Sequence, residues 1–450
     1  MEDKKAESGS YLILIASLAF ILICILFNKP LYFGFAGAVA FTVTVLIKKG
    51  YDIRTLNGMM LNGVKGCSRL IIIILLTGIT VSIWLSSGIV PTLIYYGLEY
   101  IKHTNFLLVC FAASAAVAVV MGTSIGTIST IGIALLGIGK GFEIPVHMVL
   151  GAVVSGAFFA DRTSPISGIV NLTLKTMDLK YRNYMAGLLR TLIPSAAIAA
   201  AVYYFLGKGC ISVINSERIA EFQHNISSSF VVNPLILLIP LIVIILSVCG
   251  IDPIINMSLG IAGSSIISVF LQKNAVPEIV QYMISGYHPA KGIGELNEVL
   301  RGGGMLSMFE LLLILAGAVA LNSLLEGAKI ISPIIEGAVK KVKNKVSLIY
   351  RTAALSSLFT IVTCDQVLGI IVLGRLLQNK FEASGISKVK LARTIADSGT
   401  AIAPLIPWNV NAIIILAITG IPTGQYAPYA LMCYLPPVMT LLSSLFKEKP

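Results

Sequence analysis

Apolar runs of bilayer-crossing length fill this chain and leave it few ways to fold. The segments 11–27, 31–47, 69–86, 185–206, 230–247, 252–271, 304–325 and 427–446 are predominantly apolar and about 17–22 residues long. At 1.5 Å of rise per residue, such a helix covers the ~30 Å hydrocarbon core. Lipid cannot bond backbone N–H and C=O groups, so each run must satisfy them internally as a helix. With 56% hydrophobic and only 12% charged residues, the chain is far from the ~25% charged composition of soluble domains. The first run, Tyr11–Phe27, follows Lys4 and Lys5. It exceeds the ~7–15-residue core of a signal peptide, and no small-x-small site follows, so it reads as a retained span.

The formal charge of +12 comes from basic residues in short loops between runs. That is the positive-inside pattern and excludes a nucleic-acid surface. Seven scattered cysteines (24, 67, 110, 210, 249, 364 and 433) show neither disulfide nor metal spacing.

Four further apolar tracts carry polar interruptions. Tract 106–139 holds Gly122-Thr123-Ser124-Ile125-Gly126-Thr127, and 145–173 holds Asp161-Arg162-Thr163-Ser164-Pro165. Tract 347–377 holds Thr363-Cys364-Asp365-Gln366, and 386–424 holds Asp397-Ser398-Gly399-Thr400 with Pro404 beyond. Carboxylates and helix breakers at membrane depth line ion or substrate paths, and a doubled set is the mark of a transporter built from two repeats.

A shift of 239 positions relates the halves: Gly78 maps to Gly317, Gly88 to Gly327 and Pro165 to Pro404. Asp161 and Asp397 are 236 apart, so small insertions intervene. Loop 174–190 carries Lys175, Lys180, Arg182 and Arg190, while its counterpart 413–429 carries no charge. Conversely 340–351 carries Lys340, Lys341, Lys343, Lys345 and Arg351, against Lys102 alone in 101–112. Basic loops that alternate between repeats predict opposite orientations.

The expected fold is therefore an all-α polytopic membrane protein, an inverted repeat of about ten transmembrane helices, two re-entrant hairpins and two broken helices. Residues 1–10 form a cytoplasmic N-terminus and 11–206 the first repeat, with hairpin 106–139 and broken helix 145–173. Residues 207–229 form an external linker, and 230–446 the second repeat, with hairpin 347–377 and broken helix 386–424. Residues 447–450 form a cytoplasmic C-terminus. Segments 88–101 and 327–339, with Pro91 and Pro333 near their starts, fit amphipathic helices at the membrane surface.

The breaks leave backbone groups that protein, water or ligand must satisfy: half-helix N-termini suit anions and exposed carbonyls suit cations. Thr123, Ser124, Thr127, Ser129, Thr363 and Thr400 add neutral oxygens, which a hard cation such as sodium prefers beside a carboxylate. Asp161, Asp397 and Asp365 are the candidate sodium ligands, because a carboxylate removed from water can alternate between proton and cation. For Asp161 the plain alternative is neutralisation by Arg162; for Asp397 and Asp365 it is helix capping. Arg162 could instead pair with a substrate carboxylate. Thr163, Ser164, Gln366 and Ser398 border the same breaks, while Asn171, Asn409 and Asn411 offer amide oxygens or caps. Glu310 could sit in a span or at its outer interface, and His103 and His147 fall at loop ends.

The stretch Ser155–Pro165, the stretch from Asp397-Ser398-Gly399-Thr400 through Pro404-Leu405-Ile406-Pro407-Trp408-Asn409, the Gly122–Thr127 turn and Asp365-Gln366 together resemble the NhaC family of sodium/proton antiporters. The resemblance runs through nearly the whole chain. It implies a cation-coupled secondary transporter with scaffold helices and a moving transport unit, whose members exchange sodium for protons and whose relatives carry malate, lactate or amino acids. One departure stands out. Gly168-Ile169-Val170-Asn171 follows Ser164-Pro165-Ile166-Ser167, where the family commonly has an acidic residue and hydroxyls.

The expected function is sodium/proton antiport at the cell inner membrane, with Na⁺ and H⁺ as transported ions, the lipid bilayer as surroundings and no cofactor. The alternative is a sodium- or proton-coupled carrier of a small carboxylate or amino acid. A homodimer is an assembly often found with this plan, though no residue marks an interface. An intramembrane enzyme would need a protease-like dyad or metal cluster, and the four histidines include no His-x-x-x-His pair. A passive channel is argued against by the two-fold plan of broken helices.

Overall fold

Helices occupy every expected crossing. The computed structural model describes residues 2–27, 29–101, 104–165, 167–211, 216–249, 251–289, 301–330, 337, 342 and 344–445. Among these, seven helices are long and apolar enough to cross a membrane, or nine if each of two bent pairs is one span. Shorter apolar helices, Leu12–Leu26, Phe106–Met121 and Ile254–Phe270, fill further expected positions. The chain is thus an all-helical, multi-pass membrane protein. Its leucines, isoleucines and phenylalanines on the outer helices are widely exposed, Ile15, Phe205 and Phe270 among them, as lipid-facing surfaces require.

Both interrupted tracts predicted as hairpins fold back on themselves. The first runs from Phe106–Met121 through a break to Ser124–Gly141. Asn105 caps the first limb, Gly122 ends it in the left-handed region (φ 70°), and Thr123 caps the second. The ends meet, with the rings of Phe106 and Phe142 edge-to-face at 5.3 Å. The second hairpin runs from Lys345–Thr363 to Val367–Ala383. Asn344 caps it, Cys364 turns it (φ 60°), and Lys345 Nζ donates to the Gly385 carbonyl at 3.2 Å, closing its base.

One long helix, Tyr181–Ile211, reads out the relative direction of the hairpins. The base of the first sits near its end, where Asn105 Nδ2 donates to the Tyr204 carbonyl at 2.7 Å. The helix that follows the second hairpin, Lys388–Ile395, packs near its start. There Arg393 Nη1 donates to the Gly187 carbonyl at 3.3 Å. Gly187 and Tyr204 are about 25 Å apart along a helix. The two bases therefore lie toward opposite ends of this helix, the relative direction that the alternating basic loops predict.

The repeat is legible in its caps. Asn105 and Asn344 cap the hairpins 239 positions apart. The left-handed tips Gly122 and Cys364, the half-helix caps Ser167 and Asn409, and the left-handed ends Asp178 and Gly420 are each 242 apart. Two close crossings match as well. A Cβ on Gly156 would lie 2.4 Å from the Phe111 carbonyl, and one on Gly399 would lie 2.3 Å from Ser356 Oγ. The glycine crossings pair Ser155-Gly156 with Ser398-Gly399, 243 apart, and the shift of 242 takes Pro165 to Pro407 rather than to Pro404. Asp161 follows the glycine of its pair and Asp397 precedes that of the other, so the two aspartates are not equivalent positions.

The helix Ile89–Ile101 differs from expectation. Ile89, Val90, Ile94 and Leu98 are fully buried. Gly97 packs on Ile138, and Gln223 of the linker helix Ser216–Ser229 donates to the Tyr95 carbonyl at 3.0 Å. Its apolar face rests on the first hairpin, and the linker covers it. The partner segment 327–339, the linker residues 212–215, His103 and the C-terminal residues 446–450 lie wholly or largely outside the described residues. Arg69 pairs with Asp252, the cap of the helix Pro253–Phe270, which joins two ends expected on the cytoplasmic face.

Candidate functional site

The first broken crossing consists of Val146–Thr163 and Gly168–Met177. Pro165 has no N–H to continue a helix, and Ser167 caps the second half by accepting from Val170 N at 3.4 Å. Ser164 Oγ donates to the Val119 carbonyl at 2.7 Å, fastening the break to the first hairpin. The second crossing keeps helical form to Thr400, with a π-bulge over Ala396–Thr400, then turns through Ala403–Leu405 before the half-helix Val410–Thr419. A second π-bulge, Ile128–Gly132, lies in the first hairpin. Such bulges widen a helix by one residue and recur at functional sites.

Asp161 is buried at the end of the first half-helix and reaches the first hairpin tip. Its Oδ2 accepts from Ser124 Oγ at 2.7 Å and its Oδ1 from Ser124 N at 3.3 Å. The carboxylate thus sits at the N-terminus of the limb Ser124–Gly141, where the helix dipole favours negative charge. Thr123 Oγ1 accepts from Gly126 N, and Thr127 Oγ1 donates to the Thr123 carbonyl. Both build the tip. Ser129 Oγ returns to the Gly126 carbonyl.

Arg162 does not neutralise its neighbour. Its Nη1 donates to Asp397 Oδ1 at 3.2 Å and its Nη2 to the Met432 carbonyl at 3.4 Å, while Nε is buried without a partner among the described residues. Asp397 is fully buried, and its Oδ2 accepts from Thr191 Oγ1 and Thr440 Oγ1, each at 2.6 Å. Tyr184 OH donates to the Arg162 carbonyl at 3.0 Å, and Tyr181 OH to the Thr163 carbonyl at 2.7 Å. Sequence reasoning missed Thr191 and Thr440. They stand in ordinary apolar spans, where a lone threonine usually bonds its own helix.

Asp365 is half-buried at the second tip, and its Oδ1 accepts from Val367 N at 3.3 Å. Thr363 Oγ1 donates to the Asp365 carbonyl at 2.8 Å. Asn411 Nδ2 donates to Gln366 Oε1 at 2.9 Å and to Asn409 Oδ1 at 3.0 Å, and Val410 N donates to the Cys364 carbonyl. The second tip is thereby joined to the second break. The first tip also meets the other repeat, where Val410–Thr419 packs on Ser124–Gly132, and the second limb of the second hairpin meets the first repeat at Gly374, which packs on Thr176 and Met177.

Among the described residues no bond joins Asp365 to Asp161 or Asp397, and no three His, Cys, Asp or Glu side chains form a metal cluster. Thr163 Oγ1 and Ser398 Oγ bond carbonyls one turn back, and Asn171 Nδ2 bonds the Pro165 and Ser167 carbonyls. Thr400 Oγ1 and Asn409 Nδ2 are buried and have no partner among the described residues. Glu310 is exposed, while His147 lies against Tyr429. Gly168 is exposed, and a Cβ there would meet nothing within 4 Å.

The sequence profile of the Na⁺/H⁺ antiporter family matches residues 156–447. The chain is 29% identical over 449 residues to the Na(+)/H(+) antiporter NhaC of Alkalihalophilus pseudofirmus, covering 98% of this chain and 96% of that one. It is 27% identical over 401 residues to the Na(+)/H(+) antiporter NhaC of Bacillus subtilis, covering 89% and 88%. A third relative, the malate-2H(+)/Na(+)-lactate antiporter of Bacillus subtilis, is 26% identical over 385 residues, covering 85% and 82%.

Proposed function

The chain belongs to the Na⁺/H⁺ antiporter family, and on that premise we propose that it exchanges sodium ions for protons across a bacterial inner membrane, with both termini cytoplasmic. The names of its NhaC relatives and the matched family profile support this reading. Asp161 is the carrier. The observation that supports it is its setting: a buried carboxylate within an apolar tract that, among the described residues, accepts from the neutral donors of Ser124 alone, beside an arginine that bonds elsewhere. With the proton bound, the carboxyl is neutral and can stay buried. With the proton gone, the carboxylate and Ser124 Oγ supply oxygens to a sodium ion.

Asp365 serves the second tip. Its side chain bonds its own helix start at Val367, the capping role. Alternating access follows from the bond between Asp161 and the first hairpin tip. Replacing hydrogen donors by a sodium ion changes what the tip can hold, so ion occupancy biases the position of that hairpin.

The reading as a carboxylate carrier gives the solute's carboxylate to Arg162 or to the half-helix ends, and of these Arg162 is engaged, both Nη nitrogens bonding Asp397 and Met432. The malate–lactate relative keeps that reading as the second one. Proteoliposomes separate them. Sodium should collapse an imposed pH difference without any organic solute, and Asp161→Asn should abolish the response. A strict requirement for a carboxylate solute, or full activity in Asp161→Asn, overturns the proposal.

A further inference from the structure

We propose that Arg162 and Asp397 form a pin between the two repeats that aims Asp161, and that Asp397 is a positioning residue rather than an ion ligand. Each oxygen of Asp397 is already engaged: Oδ1 by Arg162 Nη1 at 3.2 Å, and Oδ2 by the hydroxyls of Thr191 and Thr440 at 2.6 Å. These three groups turn their hydrogens toward the carboxylate. A sodium ion approaching it would face positively polarised hydrogens where it needs lone pairs. A charge wholly removed from water persists only when paired and fully hydrogen-bonded, and Asp397 meets that condition without any transported ion.

Four segments converge on this one carboxylate. Asp397 comes from the π-bulge of the second broken crossing and Arg162 from the end of the first. Thr191 comes from the helix Tyr181–Ile211 and Thr440 from Leu431–Leu445. Arg162 Nη2 adds the Met432 carbonyl on that last helix. The broken helices of the two repeats are thereby joined as one body.

The pin also determines where Asp161 points. Consecutive residues of a helix project about 100° apart. With Arg162 held toward the second repeat, Asp161 is carried round onto Ser124 of the first hairpin. Removing the Asp397 charge frees the Arg162 guanidinium, and the carboxylate beside it in the chain is Asp161 itself. The carrier would then be neutralised by its own neighbour.

This inference rests on Asp161 as the carrier, and the test keeps the two apart. Arg162→Gln, Asp397→Asn, their double variant and Asp161→Asn are compared in proteoliposomes by sodium-driven pH collapse. Asp397→Asn should fall about hundredfold in maximal rate, and the double variant should recover to within about tenfold of the parent, with unchanged half-saturating sodium. A monodisperse double variant as inactive as Asp397→Asn overturns the pin. So does an active Asp397→Asn whose half-saturating sodium is raised. Should the charge variants fail to fold, Thr191→Val with Thr440→Val decides. A lower maximal rate at unchanged half-saturation supports positioning, and a raised half-saturation overturns it. Full activity in Asp161→Asn refutes the carrier assignment while leaving recovery in the double variant readable.

Discussion

Ser124 gives Asp161 two hydrogen bonds from one residue, its hydroxyl at 2.7 Å and its backbone N–H at 3.3 Å. The carboxylate of a broken crossing thus rests on the tip of a hairpin, and a change at either is felt by the other. A hydrogen bond to a charged group contributes about 1.5–3 kcal/mol. Ser124→Ala removes the hydroxyl and keeps the N–H. Half-saturating sodium should rise about tenfold while the protein stays folded, measured by sodium titration of vesicle pH collapse. An unchanged value would remove Ser124 from the ion path.

If proton and sodium share Asp161, each excludes the other. Acidification fills the carboxyl with protons, so more sodium is needed to displace them. Half-saturating sodium should therefore rise as pH falls, by up to about tenfold per pH unit for one shared proton. The maximal rate at saturating sodium should vary much less. A half-saturation independent of pH would place the two ions at separate sites.

The hairpin bases lie near opposite ends of the helix Tyr181–Ile211. Single cysteines at Asn105 and at Gly385, in a background without reactive native thiols, should label with an impermeant maleimide from opposite faces. Right-side-out and inside-out vesicles supply the two readings. Labelling of both positions from one face would exclude the inverted arrangement.

The paired glycine crossings should respond unequally. A Cβ at Gly156 meets backbone, the Phe111 carbonyl at 2.4 Å and Ala115 N at 2.8 Å. At Gly399 the nearest atom is Ser356 Oγ at 2.3 Å, which can rotate. Gly156→Ala should destabilise by about 1–3 kcal/mol, visible as a lower melting temperature in detergent. Gly399→Ala should cost less, and adding Ser356→Ala should restore part of the loss. Equal shifts at the two positions would contradict this reading of the contacts.

Much of this arrangement was legible in the residues because hydrocarbon is so intolerant a solvent. Gly122, Asp161, Pro165, Asp365 and Asp397 stand out inside apolar runs, and the loop lysines and arginines give direction. What stayed hidden was register and partnership. Asp161 and Asp397 look like counterparts at 236 positions, yet the caps repeat at 242, a gap of six that the one residue of a π-bulge does not close, so their likeness is one of composition and not of register. Arg162 stood next to one aspartate in sequence and bonded the other, 235 residues away. Thr191 and Thr440 acquired their partner only when three helices met. Sequence spacing reports what shares a helix face; it is silent on which helices become neighbours.

The opposed hairpins also have an electrical consequence. On the proposed inverted arrangement, water that followed each hairpin to its tip from its own side would thin the insulating layer to the gap between the tips. A transmembrane voltage would then fall across that gap instead of across the whole bilayer. Moving one charge through the full potential is worth about 2.3 kcal/mol per 100 mV. In so thin a septum, a displacement of Asp161 by a few ångströms, far short of a crossing, would sample a large share of that energy.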